Sequence, residues 1–462
     1  MGHRKAADLE TPHERKARGK ALREGVPWES HAAWQPGSDR PDPVDVVTSQ
    51  NDDRVQWLVP IRHSRMSESA FAFYRGAAKI MAQDLASTAT TGVHVQICGD
   101  AHLANFGAYA SPDRQQVFDL DDFDETLPGP WEWDLKRLTT SFVVAGRDNG
   151  LDAGDIESVT EKSVAAYREA MESFADARTM DIWYSQLSVE QILEGLPRKK
   201  DRKRVAKDVK KARSKGSLRA FSKLVEEVDG VCRIKSDAPL LVPLRELPVA
   251  VQPEDLEATV EASFARYRTT LNDHRKHLLG RFRIVEAALK VVGVGSVGTR
   301  CMIVLLVGRD KSDPLFLQVK QASRSVLEDQ LPKTEYPEHG QRVVEGQRLM
   351  QATSDIFLGW ATEVEMDHHY YWRQLHDMKG SANIEAMDPT ALGSYAKLCG
   401  WTLARAHARS GDPIAISGYM GSGDAFDRAM TEFAVGYADQ NERDYAAFVG
   451  AIQAGRIESR EG

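Results

Sequence analysis

Two short runs hold most of the residues able to do chemistry. "CGDAHLANFG" (98–107) carries Asp100, His102 and Asn105, and "VFDLDDFDET" (117–126) carries Asp119, Asp121, Asp122 and Asp124. Carboxylates this crowded repel one another unless positive charge lies among them. A hard cation would meet that need. Mg²⁺ takes oxygen ligands, usually one or two carboxylates, and keeps waters or substrate phosphates for the rest of its shell. The amide oxygen of Asn105 and one aspartate of the second run fit that donor set. Asp100, just past a β-branched strand, suits a group that accepts a proton or orients a nucleophile. Each aspartate alone reads rather as a turn residue or a helix cap, and it is the pairing of the two runs that points to a site. His102 has no second histidine at ligand spacing, which argues against a transition metal. His368, His369 and His376 read as structural or solvated.

A third run, "GVGSVG", places Gly293, Gly295, Ser296 and Gly298 together. A dinucleotide site needs a strand before such glycines and a helix after them. Here a helical stretch is expected before and the strand "CMIVLLV" after, which excludes that reading. A phosphate-covering loop followed by a lysine on the next strand but one fits better. "LFLQVKQA" supplies Lys320, which would neutralise α- and β-phosphates, and a carboxylate on the following helix would hold it. Glu345 is the first candidate for that carboxylate and Glu328 the second. Lys320 in isolation would read as a strand-edge lysine.

The elements that must position these residues follow from pattern. "SAFAFYRGAAKIMAQDLAST" has helical periodicity with Ser69 as N-cap, and "VHVQIC" alternates as a strand. A helix opens at "WEWDLKRLTT", with more helices over 153–177 and 185–195. "RTTLNDHRKHLLGRFRIVEAALK" is also expected to be helical. Strands are expected at "CMIVLLV", "LFLQVKQA", "DIFLGWATEV" and "HHYYWRQL", with helices again to the end. This divides the 462 residues into an N-terminal arm (1–60), a helical catalytic part (61–190), a helical insertion (191–285), a β-rich nucleotide-binding part (286–385) and C-terminal helices (386–462).

Composition narrows the class. A formal net charge of −8 gives no general affinity for nucleic acid or membranes. Residues 198–219 are the exception, with twelve Lys and Arg against two Asp. They form either a solvated helix face or a docking surface for an anion. Arg62, Arg65 and Arg75, around "FAFYRG", could make an anion pocket or pair as salt bridges on a helix face. Cys98, Cys232, Cys301 and Cys399 lack zinc spacing and read as free thiols. There is no signal-peptide core and no apolar run near 20 residues, so a soluble cytoplasmic protein is expected.

These runs resemble a known family. "GDAHLAN" is similar to the G-D-x-H-x-x-N catalytic loop of aminoglycoside- and choline-kinase-type proteins, and "LDDFDE" to their metal-binding motif. In those kinases a helix-opening aspartate follows the metal ligand by about a dozen residues. Asp134 in "PGPWEWDL" stands twelve after Asp122, which selects Asp122 and makes Asp134 a structural brace. The resemblance implies an α+β, two-lobed protein-kinase-like fold with a large helical lobe and a small antiparallel nucleotide lobe. Asp100 would be the catalytic base, with His102 beside it. Asn105 and Asp122 would bind Mg²⁺, with help from Asp124. Gly293–Gly298 would cover ATP, Lys320 would contact its phosphates, and Gln374 and Leu375 would meet the adenine. Cys98 stands where related kinases often have His. The order is reversed, with the catalytic loop ahead of the glycine loop, so the fold would be circularly permuted.

As a whole, residues 55–455 resemble a bacterial family of uncharacterised proteins, domain-of-unknown-function family 2252. The expected activity is ATP- and Mg²⁺-dependent phosphoryl transfer to an unknown small-molecule or protein hydroxyl. Nucleotidyl transfer on the same fold, a non-catalytic ATP-binding regulator, and a hydrolase using only the aspartates are the alternatives.

Overall fold

Strand alternation decides where Lys320 points. In the computed structural model, which describes residues 10–214, 216–247, 253–363, 368–375 and 377–461, Pro314–Gln321 pairs antiparallel with Cys301–Val307 on one side and His368–Gln374 on the other. Successive side chains face opposite ways. Leu315, Leu317 and Val319 join one apolar cluster with Phe264, Tyr267 and Trp372, so Gln318 and Lys320 project from the other face. The full sheet has six strands in the order Gly359–Glu363, His368–Gln374, Pro314–Gln321, Cys301–Val307, Arg283–Lys290, Leu241–Pro243. One face is covered by the Pro253–Thr269 helix, whose Tyr267 ring stacks on Trp372 at 4.8 Å. Ala220 and Leu224 of the Ser217–Leu224 helix pack on the other.

The segment "RIVEAALK" is a strand, Arg283–Lys290, where a helix was expected. Its Ala, Leu, Glu and Lys favour helix locally, but the strand lies between two others and buries Ala287, Ala288 and Leu289. Tertiary pairing overrides propensity here. The glycine run is therefore the turn of a two-strand hairpin. A strand still follows it, so the dinucleotide reading stays excluded. Residues 191–285 contribute more than helices: Leu241–Pro243 and the start of Arg283–Lys290 belong to the sheet, and Val225–Val228 pairs with Val231–Ile234.

The rest is mainly helical. Trp131–Asp148 is buried along nearly its whole length, between the Ala153–Asp176, Pro389–Ser410 and Ala425–Gln453 helices. The N-terminal arm is ordered too: Pro12–Gly25 docks on Pro413–Met420, with Arg15 and Arg18 on Asp412. The single helix expected over 69–88 is two, Ala70–Gly76 and Ala78–Leu85, broken at Ala77. A small sheet in the order Gly380–Ser381, Phe106–Ala110, Gln116–Leu120, Leu187–Ser188 carries the acidic runs at its ends. The protein is thus α+β with antiparallel sheets. Among the described residues no helix is long and apolar enough to cross a membrane. All four cysteines are free. His376 lies outside the described residues.

Candidate active site

The loop bearing Asp100 is fixed from beneath. His94–Ile97 pairs with Leu127–Pro130, and the chain then turns at Gly99. That residue has φ +82, and a Cβ there would lie 2.6 Å from the Glu125 carbonyl oxygen, so only glycine fits. The Asp134 carboxylate, in the first turn of Trp131–Asp148, accepts from the Cys98 and Gly99 backbone N–H groups at 2.6 and 2.8 Å. His407 Nε2 lies 3.2 Å from the same carboxylate. Tyr395 O–H donates to the Leu103 carbonyl at 2.8 Å. The Pro389–Ser410 helix therefore backs the loop through Tyr395 and His407.

Asp100 meets a residue that the sequence left unmarked. Arg137 Nε and Nη2 both approach its Oδ1, at 2.9 and 2.7 Å, and do not engage Oδ2. Arg137 follows Asp134 by one helical turn, so the two share a face; that offset was the available signal. Burial raises the Asp100 pKa, and Arg137 only partly offsets this. Burial also pushes His102 well below its usual value. It is neutral, its Nδ1 accepts from Ala104 N–H at 3.2 Å, and its Nε2 lies 3.8 Å from Asp100 Oδ2. Asn105 Nδ2 donates to the Asp100 carbonyl at 2.7 Å. This orients the amide and leaves its Oδ1 without a hydrogen bond among the described residues.

The crowded carboxylates are neutralised by the protein's own cations. Asp119 pairs with buried Arg405, and Asp121 with Lys379 at 3.0 Å. Lys320 bridges Asp122 at 3.3 Å and Asp124 at 2.7 Å. Crowding alone therefore does not require a metal ion, and the donor set reduces to Asn105 Oδ1 and Asp122. Asp124 was expected to assist a metal. Both of its oxygens are engaged, Oδ2 by Lys320 and Oδ1 by the Tyr371 hydroxyl at 2.7 Å, so it is the carboxylate that holds Lys320 here. That role was expected of Glu345 or Glu328. Glu345 instead pairs with Arg348 at 2.8 Å and Glu328 with Arg324 at 3.3 Å. The reason is helical phase: His339–Met350 turns Val343, Val344, Gln347 and Met350 inward, which leaves Glu345 on the outer side.

Charge fixes the protonation of this cluster. Burial would raise the Asp122 pKa, but Lys320, Arg373 and Lys379 outweigh it and bring it to about 2. Burial would lower that of Lys320, but Asp122 and Asp124 keep it protonated. Arg373 also donates to Gln318 and to the Asp121 carbonyl, and buried Arg342 clamps the Asp124 and Thr126 carbonyls. Among the described residues no group of three or more His, Cys, Asp or Glu is placed to hold a metal ion.

Two cavities meet at Asn105 and Asp122. One, of about 480 Å³, is walled on the sheet side by Gln318, Lys320, Arg373, Gln374 and Leu375. The other, of about 350 Å³, contains Asp100, His102 and Asp124. Arg75, Gly293 and Ser296 line both. The glycine turn therefore reaches the same place as the acidic runs. Gly293 and Gly298 take φ +69 and +90, Arg65 Nη1 donates to the Gly293 carbonyl at 2.7 Å, and a Cβ on Gly295 would lie 3.1 Å from the Arg75 carbonyl oxygen. Gln374 and Leu375 stand at the end of the His368–Gln374 strand, with Leu375 N–H donating to the Phe316 carbonyl.

The six-stranded sheet, the braced loop and the convergent acidic, basic and glycine residues describe a two-cavity cleft in an α+β protein. A family model described as "Uncharacterized protein conserved in bacteria (DUF2252)" matches residues 54–451, and the chain belongs to that family. No curated protein and no solved structure matches it.

Proposed function

We propose that the chain is a kinase-like phosphotransferase with a two-lobed, circularly permuted fold, moving the γ-phosphate of ATP to a hydroxyl acceptor. One observation carries the reading. Lys320, one strand past the glycine hairpin, bridges Asp122 and Asp124 at the junction of the two cavities, although nearly 200 residues separate these groups in sequence. The glycine hairpin, the lysine strand and the following helix keep the order that kinases use. The permuted connection has a physical route: Gly380–Ser381 pairs with Phe106–Ala110, and the next helix, Pro389–Ser410, backs the Asp100 loop.

The nucleotide would occupy the 480 Å³ cavity, with its adenine toward Gln374 and Leu375 and its phosphates under the glycine turn. The acceptor would lie beside Asp100. The acceptor oxygen attacks the γ-phosphorus, a new P–O bond forms, the bond to the β,γ-bridging oxygen breaks, and ADP leaves with that electron pair. The acceptor proton passes to Asp100 Oδ2, while Arg137 holds Oδ1. Asn105 Oδ1 and Asp122 are the residues that would hold Mg²⁺, which when bound would supply neutralisation of phosphate charge. Lys320 and the glycine-loop N–H groups supply preorganised positive charge, which makes positioning the main source of rate.

The test is ATP binding with and without Mg²⁺, followed by thermal melting. A ligand at a hundred times its Kd stabilises a protein by about 2.7 kcal/mol, and Asp122→Asn should abolish the Mg²⁺-dependent part. An unchanged shift in that variant, or none in the native protein, refutes the proposal. ATP labelled at the α- or γ-phosphate then separates nucleotidyl from phosphoryl transfer by which label reaches the product.

A further inference from the structure

We infer that the acceptor carries a phosphate of its own, bound by an arginine cluster in the wall of the 350 Å³ cavity. This rests on the phosphotransferase reading and names its second substrate class. Of the four guanidinium groups that line that cavity, Arg324 pairs with Glu328 and Asp329, which leaves Arg54, Arg62 and Arg75. None has a carboxylate partner among the described residues. Arg62 is fully buried; its Nη groups donate to the Val47 and Gly76 carbonyls, Asn51 and Gln50, and its Nε has no acceptor. Arg54 donates to the Gln50 and Val297 carbonyls. Among the described residues the Arg75 side chain makes no hydrogen bond or ion pair, and its Nε is buried without a partner.

An uncompensated buried charge is costly; Arg62 is buried and Arg54 and Arg75 are partly so, so the three together favour an anion. The carboxylates facing the same space do not supply it. Asp100 is taken by Arg137, Asp122 and Asp124 by Lys320, and Asp329 by Lys79 and Arg324. Asp53 is bound by Arg300 and Gln321. Glu125 accepts from Val326 N–H, with burial raising its pKa to about 7. Asp52 is exposed. A dianion balances this excess better than a single carboxylate, and guanidinium forks match phosphate oxygens. Arg54 and Arg62 line only this cavity, whereas Arg75 also reaches the nucleotide side. The cluster therefore serves a group beyond the γ-phosphate, and the cavity has room for a small phosphorylated hydroxyl compound.

The probe is inorganic phosphate, titrated calorimetrically into the protein saturated with Mg²⁺ and a non-hydrolysable ATP analogue. Phosphate should bind alongside the analogue, weaken as salt rises, and bind at least tenfold less tightly to Arg75→Gln and to Arg54→Gln, each checked for folding by circular dichroism. With labelled ATP, ribose 5-phosphate and glycerol 3-phosphate should be better acceptors than ribose and glycerol, and better than glycerate. Phosphate that only competes with the analogue, binding indifferent to both substitutions, or a preference for glycerate overturns the inference. If the analogue itself does not bind, the phosphotransferase reading falls and the acceptor assignment falls with it. Phosphate binding to the free protein then still decides whether the arginines form an anion site.

Discussion

Replacing Lys320 with Met separates its structural work from its proposed phosphate contact. The Lys320 side chain is 3% exposed, while Asp122 and Asp124 keep 30% and 29% of their side-chain surface. Met fills the aliphatic volume, so the damage lies in two adjacent carboxylates left without their shared cation. Breaking a fully buried pair costs about 3–5 kcal/mol; partial hydration of both carboxylates, with Arg373 and Lys379 still nearby, brings this to about 2–3 kcal/mol at pH 7. The pH dependence gives a second reading. The folded Asp122 pKa lies near 2, below its ordinary value of 3.8, so it contributes stability above pH 4 that disappears as pH falls toward 2. Lys320→Met removes much of that contribution, so the two proteins should converge in acid. Urea denaturation at pH 7 and pH 3 measures both. Mg²⁺ should also stabilise the variant more than the native protein, since the freed carboxylates flank Asn105 Oδ1. A loss below about 0.5 kcal/mol at pH 7, or one that does not shrink in acid, would refute the electrostatic account.

Gly99→Ala should destabilise the fold by about 2–4 kcal/mol in urea, because left-handed backbone strain and a 2.6 Å clash with the Glu125 carbonyl add together. Glu125 has a folded pKa of about 7, above the ordinary 4.5, so its contribution is intact below pH 4.5 and is lost as pH rises through 7. Glu125→Gln should flatten that limb and leave the variant the more stable protein at pH 8, as read by melting temperature.

What could be read from sequence was what depends on neighbours in the chain. The Asp100 loop follows a strand because "VHVQIC" alternates, and the twelve-residue step to Asp134 found the carboxylate that accepts the Cys98 and Gly99 N–H groups. Partnerships across the fold were not legible. The crowding of Asp119, Asp121, Asp122 and Asp124 seemed to require a metal because their cations come from distant positions: Arg405, Lys379 and Lys320. Glu345 looked like the partner of Lys320, but the phase of its helix turns it away, and Asp124 takes the place because Pro314–Gln321 lies over the acidic run. "RIVEAALK" has helical composition, and only its two strand neighbours make it a strand. Sequence already marks Arg62 and Arg75 as an anion-pocket candidate, but not Arg54, and pairing explains why. A guanidinium is notable when nothing opposes it, and the lack of a carboxylate beside Arg54, Arg62 and Arg75 appears only when the nearby acids have been traced to their own partners. The same matching that weakens crowding as an argument for Mg²⁺ leaves an unbalanced positive charge next to Asp100, which an anionic acceptor would neutralise.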